Sequence, residues 1–284
     1  MSYAVISHKL IVDGATVPYR ATPNHGGALM PEGIIVHDTA GDVDGAGSVG
    51  WLCDKRAKAS AHVVVHRDGR ITQLAPFNVV TWHAGASSWR GRSACNGFTL
   101  GIEFANPGKL TRTGLSTYRN GDGYALTLEA GMIVDEYSSE VHGKGLWLQY
   151  SDAQIASGSA LCLALKAAYP TIGFLATHWQ IAPGRKVDTG PQFPLEELRN
   201  RVLFDGSGEE EVAADGCDAT TTTGVNQRRW PSLADNIIQT LPKGARARVI
   251  RSGVYTNGGE TARWFLVAAG GNEGWLHGAY LDLD

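Results

Sequence analysis

The sequence predicts an α/β unit followed by a small all-β unit. Three observations carry this. Short apolar runs at Gly33–His37, Phe98–Phe104 and Leu175–His178 read as buried strands. Gly47–Lys58 and Ser151–Tyr169 place apolar residues at helical spacing. After residue 224, short β-like pieces alternate with Gly turns to the C-terminus.

Residues 1–32 hold Pro18, Pro23, Gly26, Gly27 and Pro31, so they read mostly as loop, with one short strand at Lys9–Val12. The helix at Gly47–Lys58 rests on Val49, Leu52 and Cys53. Strands are expected near 61–66 and 70–74, then a loop at Trp82–His83, then a strand ending at Phe104. Residues 106–150 read as an insertion, broken by Asn106-Pro107-Gly108, Asn120-Gly121-Asp122-Gly123 and Gly143-Lys144-Gly145. It reads either as a surface excursion or as a flap over a substrate groove, because long loops often carry specificity. Ser151 and Gln154 form a capping-box pattern opening a helix that Pro170 ends, with Ile155, Leu161, Leu165 and Ala168 on one face. Pro194–Leu203 reads as a further helix. Residues 205–224, with Glu209–Glu211 and Thr220–Thr223, are low in apolar content and read as a flexible linker between a domain at 1–204 and one at 225–284. In the latter, Ala247–Ile250, Trp264–Val267 and Gly274–His277 are the strand-like pieces.

With 284 residues there is room for two domains. A hydrophobic content of 43% with 19% charged residues describes an ordinary globular protein. A net charge of −3 without any Lys/Arg run gives no electrostatic footprint for nucleic acid. No apolar stretch reaches the length of a membrane span, so no stable membrane insertion is expected. The four cysteines are scattered, with no Cys-x-x-Cys, which excludes a disulfide framework and a Cys₄ metal site. Met1–Lys9 lacks the layout of a secretory signal, so synthesis in the cytoplasm without Sec export is expected.

Thr177–Pro191 is the most informative stretch. Pro183 and Gly184 break regular structure and let the chain fold back, bringing Asp188 beside His178. Zinc accepts His nitrogen and Asp oxygen, and a catalytic zinc site needs three protein ligands with one position open. His37, ending an apolar strand, is the candidate for the third, although a lone strand-end His is more often structural. Glu103 is a single carboxylate inside an apolar run. Burying it is costly, so it reads either as an ion-pair partner or as a general base with a raised pKa. Lys186 lies two residues before Asp188 and projects to the same side if the chain is extended. The bland reading is a solvated surface Lys.

Five segments in order carry a family resemblance: Ile34–His37; Ala59–Val65 with Arg67–Ile71; Thr81–Ser87; Asn96–Glu103; and His178–Pro191. Together they cover about half the chain and resemble the zinc-dependent N-acetylmuramoyl-L-alanine amidases. That family shares a mixed central β-sheet flanked by helices with the peptidoglycan-recognition proteins. The resemblance implies Zn²⁺ held by His37, His178 and Asp188. It implies Glu103 as general base and acid, and Lys186 as a stabiliser of developing negative charge. Trp82 and His83 would lie near the substrate, peptidoglycan or a muropeptide. His62 reads as a core residue, while His8, His25, His66, His142 and His277 lack supporting context.

The implied activity is hydrolysis, by a zinc-activated water, of the lactyl amide joining N-acetylmuramic acid to L-alanine. The leading expectation is a phage endolysin or exported wall hydrolase, reaching the wall after lysis or by a non-Sec route. One alternative is a cytoplasmic amidase recycling anhydro-muropeptides, which the Asn96–Glu103 and Ala182–Asp188 segments resemble most. Another is a non-catalytic recognition module, disfavoured because all five site positions are filled. Val225–Arg228, Leu241–Gly244, Trp264, Val267 and Gly274–Leu276 with Tyr280–Leu281 resemble a bacterial Src-homology-3-like barrel. That implies wall binding, with Trp230, Tyr255, Trp264 and Trp275 as stacking surfaces, or with Trp264 and Trp275 in the core.

Overall fold

A computed structural model describes residues 1–203, 217–228, 231, 233, 237–257 and 260–283. The chain divides into two compact units, Met1–Leu195 and Glu196–Asp284.

In the first unit, Ile34, Ile35 and Val36 are completely buried, as are Val63, Val64 and Val65. Such continuous β-branched runs suit strands covered on both faces. Five strands build the central sheet: β1 (Gly33–Asp38), β2 (Val63–Val65), β3 (Ile71–Gln73), β4 (Thr99–Phe104) and β5 (Phe174–Thr177). Their order is β5-β1-β4-β2-β3. All neighbours are parallel except the β2–β3 hairpin, so the sheet is mixed. The expected strands are present, and parallel pairing makes β1, β4 and β5 finish at one edge.

Helix α1 (Ala46–Leu52) is shorter than the expected 47–58. Asp54 accepts from the Arg56 amide at 2.8 Å and starts a separate 3₁₀ turn, Lys55–Ala57. Helix α2 (Asp152–Ala168) is capped by Ser151, whose hydroxyl accepts from the Gln154 amide at 3.1 Å. Only this half of the expected capping box forms. The fully buried Gln154 side chain turns to the sheet instead, donating to the Val65 and Ala105 carbonyls at 3.1 and 3.0 Å. Those bonds set the rotation of α2. The buried stripe is therefore Gln154, Ser157, Gly158, Leu161, Cys162 and Leu165, while Ala168 is exposed.

The expected strand at Lys9–Val12 is present, and the stretches around it and at 106–150 hold more strands than expected. Tyr3–Ile6, Lys9–Val12 and Ala15–Thr16 form an antiparallel sheet, and His25–Ala28 pairs with Val79–Thr81. The turns use positive φ at Ser7 and His8, and at Asp13 and Gly14, as tight hairpins require. Residues 106–150 form a five-stranded antiparallel sheet. Its order is Ala125–Thr127, Thr117–Asn120, Lys109–Arg112, Gly143–Leu148, Val134–Ser139. Leu110, Tyr118, Leu126 and Leu148 are its buried cluster.

His62 lies in the core, where the sequence placed it. Its Nε2 donates to the Val79 carbonyl at 2.9 Å, and Nδ1 accepts from the Gly101 amide at 3.0 Å. Burial pulls its pKa from 6.5 to about 4. Below pH 6.5 the unfolded chain binds a proton that the folded chain refuses, so stability falls as pH drops. This one group is expected to cost roughly 3 kcal/mol between pH 6.5 and 4, and nothing above 6.5. Urea unfolding across that range checks it; equal stability at pH 7 and pH 4.5 would refute it.

Helix Leu195–Leu203 forms as expected from Pro194. Residues 205–216 of the expected linker lie outside the described residues, but Asp218–Thr221 is a strand, not linker. Its β-branched threonines sit between two antiparallel neighbours, Arg246–Asn257 and Leu281–Leu283. The second unit is a seven-stranded antiparallel sheet around Val225, Leu241, Val249, Phe265, Val267 and Leu276. Trp264 and Trp275 are buried core residues, whereas Trp230 and the Tyr255 side chain lie outside the described set. Among the described residues no helix is long and apolar enough to cross a membrane.

Candidate metal centre

The shared edge of β5, β1 and β4 collects the polar residues. Glu103 of β4 is the register partner of His37 in β1. Thr177 of β5 pairs with Val36, so the next residue, His178, arrives on the other side of His37. There the chain turns into the short helix α3 (His178–Ile181), with the Thr177 amide donating to Gln180 Oε1 at 3.1 Å. The Pro183-Gly184 turn, with Gly184 at φ 74°, reverses the chain. The Trp179 amide then donates to the Asp188 carbonyl at 2.9 Å, and the return segment lies along α3.

Three atoms converge as a result. His37 Nδ1 is 2.9 Å from His178 Nδ1 and 3.1 Å from Asp188 Oδ2, and His178 Nδ1 is 2.9 Å from the same oxygen. The surrounding bonds fix where the ring hydrogens lie. His83 Nε2 faces the Thr99 carbonyl at 3.2 Å and must donate to it. His83 Nδ1 therefore accepts from His37 Nε2 at 3.0 Å, which leaves a lone pair on His37 Nδ1. His178 Nε2 likewise faces the Ala84 carbonyl at 3.2 Å, leaving a lone pair on its Nδ1. Two lone pairs and a carboxylate oxygen thus face each other with no hydrogen between them. Burial pulls the His37 pKa down to about 4, so that ring does not supply a proton at neutral pH. A cation resolves the repulsion. A tetrahedral zinc with ligands about 2.0–2.2 Å away spaces them about 3.3–3.6 Å apart, a few tenths wider than here. The donor types and the partner on each imidazole's other nitrogen suit such an ion.

Glu103 lines the same cavity, of ~640 Å³, as His37, His178, Lys186 and Asp188. Its Oε2 has no hydrogen-bond partner. Burial first, then the charges of Asp188 and Asp38, push its pKa well above the carboxylate range, against the nearby Lys186 ammonium. The ion-pair reading of Glu103 finds no support, since among the described residues no Arg or Lys bridges it. Lys186 is exposed on the cavity side.

Trp82 and His83, expected together near the substrate, both line the cavity but differ in exposure. Trp82 is 40% exposed on the cavity wall, while His83 is 7% exposed with both ring nitrogens engaged behind His37. Gly101 permits this, because a Cβ there would lie 2.4 Å from the His83 ring. Asn96 Oδ1 holds the loop, accepting from the His83 and Ala84 amides at 3.1 and 2.7 Å.

Four cavity residues escaped the sequence reading. Asp38 follows His37, accepts from the Tyr150 hydroxyl and, at 2.8 Å, from the Gly190 amide, and is pushed by burial up to about 7. Its position beside His37 at a strand end was the available signal. Arg185 donates to the Ala84 and Ala86 carbonyls at 2.6 and 2.8 Å, pinning the Trp82 loop. Trp51, 55% exposed, and His142, from the inserted sheet, also line the cavity. Neither sits in a local pattern.

A mixed α/β sheet carries three donors that could hold a metal ion, with the unpartnered Glu103 Oε2 lining the same cavity. Residues 27–191 match the N-acetylmuramoyl-L-alanine amidases, and the chain belongs to that family. It is 34% identical over 156 residues to the 1,6-anhydro-N-acetylmuramyl-L-alanine amidase AmpD of Citrobacter freundii, covering 55% of this chain and 62% of that protein. It is 29% identical over 178 residues to the N-acetylmuramoyl-L-alanine amidase AmiD of Escherichia coli strain K12, covering 60% and 52% respectively. The chain thus spans less than two thirds of either relative's length. A solved structure of an AmpD derivative shares 25% identity at a TM-score of 0.46, covering 70% of this chain and 98% of that one.

Proposed function

We propose that this chain is a zinc-dependent amidase that hydrolyses the bond between the lactyl group of N-acetylmuramic acid and L-alanine. The observation that carries the reading is the triangle of unprotonated donors beside the unpartnered Glu103 oxygen. His37, His178 and Asp188 would hold the metal. Bound there, zinc would supply a Lewis acid for the carbonyl and a water of lowered pKa. Glu103 takes a proton from the attacking water and returns one to the leaving amine of L-alanine, as its raised pKa allows. Lys186 offers an ammonium to the oxygen on which negative charge develops. Trp82 offers an exposed indole face to the sugar.

Anhydro-muropeptide fragments recycled inside the cell are the favoured substrate. The expectation of an endolysin or exported hydrolase gives way here, because the 34% identical relative is named for 1,6-anhydro-N-acetylmuramyl substrates. Action on wall polymer remains the second reading, supported by the added unit Glu196–Asp284. We assign the chemistry to residues 1–204 and a Src-homology-3-like, wall-binding role to 225–284, on its short antiparallel strands and its Gly and Trp spacing.

The test is digestion of intact sacculi and of isolated anhydro-muropeptide, each with and without chelator, read by mass spectrometry. Stem peptides beginning with L-alanine should appear from the fragment far faster than from sacculi, vanish on chelation and return with zinc. Faster release from sacculi would favour the polymer reading. No release from either would sink the amidase.

A further inference from the structure

We propose that the inserted sheet braces the metal centre, with His142 as a positioning residue for Asp188. The inference rests on the metal reading above. His142 Nε2 lies 2.8 Å from the Val187 carbonyl and 2.9 Å from the Thr189 carbonyl. Both partners are acceptors, so Nε2 carries the hydrogen and shares it between them. These carbonyls flank Asp188 on either side, so one imidazole grips the backbone that carries the carboxylate.

The ring itself is held. The Ser139 hydroxyl pairs with His142 Nδ1 at 2.7 Å, and the same oxygen accepts from the His142 amide at 3.1 Å. Trp147 and Trp179 stand edge-on to it, each with its ring centre 6.1 Å away. Gly190 lets the insertion close on this segment, since a Cβ there would lie 2.8 Å from Trp147. Asp188 sits on an irregular stretch between α3 and Gly190, with no strand ladder to fix it. Its carboxylate therefore depends on outside contacts for aim, and His142 supplies two of them from 45 residues away. A metal ligand displaced by a fraction of an ångström binds more weakly, and residues that orient ligands typically contribute ~10–100-fold in affinity.

The experiment uses the full chain and measures zinc affinity by competition with a chromogenic chelator. The absorption spectrum of the Co²⁺-loaded protein reports ligand geometry. His142→Ala should weaken zinc binding ~10–100-fold and alter the Co²⁺ bands. His142→Gln, whose amide N–H groups can reach both carbonyls, should recover to within about threefold of wild type. Ser139→Ala, which frees the ring, should fall in between. The unfolding midpoint of the metal-free protein should stay the same in all three. Wild-type zinc affinity in His142→Ala overturns the brace. If that variant does not fold, wild-type affinity in Ser139→Ala overturns it. A loss in metal-free stability matching the loss in affinity, unrelieved by Gln, reduces His142 to a packing contact and also overturns it. A wild-type protein that takes up no zinc fails the metal reading itself, and the brace falls with it.

Discussion

Glu103→Gln should slow amide cleavage ~10²–10⁴-fold while zinc uptake stays at the wild-type level. Gln keeps the shape and the hydrogen-bonding reach of Glu but cannot carry the proton. The native carboxyl is buried beside Asp188 and Asp38, which disfavour its charge. Gln removes an unfavourable buried charge, so the variant should fold at least as well as wild type. The pH profile is the sharper readout. As a base, Glu103 must be ionised, so the wild-type rate should rise with pH through a pKa above the ordinary carboxylate range. The variant should lose that limb. Single-turnover cleavage of anhydro-muropeptide between pH 5 and 8, with zinc content measured alongside, decides it. A near-normal rate with the same acid limb would remove Glu103 from the chemistry.

His178→Ala should abolish both zinc uptake and activity, with a fall in rate of at least ~10³-fold, because several kcal/mol of charge stabilisation depend on the ion. Only two donors would then remain, and catalytic zinc sites use three. The truncation also removes the ring from the Asp188 oxygen and the Ala84 carbonyl, so the Trp82 loop would lose one of its several ties. Metal content after gel filtration and the cleavage rate are both read. Stoichiometric zinc in the purified variant would show that the ion is held elsewhere.

What the sequence disclosed follows from how local each signal was. β1, β4 and β5 are short apolar runs whose polar residues stand at or near their ends, so strand and donor were legible together. The turn after Ile181 was legible because Pro and Gly constrain the backbone directly. At the N-terminus the strand Lys9–Val12 was legible but its partners Tyr3–Ile6 and Ala15–Thr16 were not, since Ser7 and His8 take positive φ without a Gly or Asn to announce it. Asp13-Gly14 carried the usual hairpin signal and was passed over among the surrounding prolines. Gln154 fitted a capping pattern, and two carbonyls from other elements claimed its side chain. His83 was placed beside the cavity from its loop, but its bond to His37 was not legible. Its engagement with His37 depends on Gly101 opening space on a different strand, which no local window contains. His142 is the extreme case, since its partners lie 45 and 47 residues away.

The separation of the donors along the chain has one more consequence. His37 and Asp188 are 151 residues apart, so an ion between them would act as a reversible cross-link closing most of the first unit into a ring. Because the ion leaves when the chain unfolds, it would stabilise the fold through its binding, by about 4 kcal/mol at a free metal level 1,000-fold above Kd, a large part of a domain's net stability. Unlike a disulfide, this tie opens when the surrounding zinc is withdrawn. The persistence of the folded chain would then track the free-metal level of its surroundings, and scarcity of zinc would end the protein's lifetime as well as its activity.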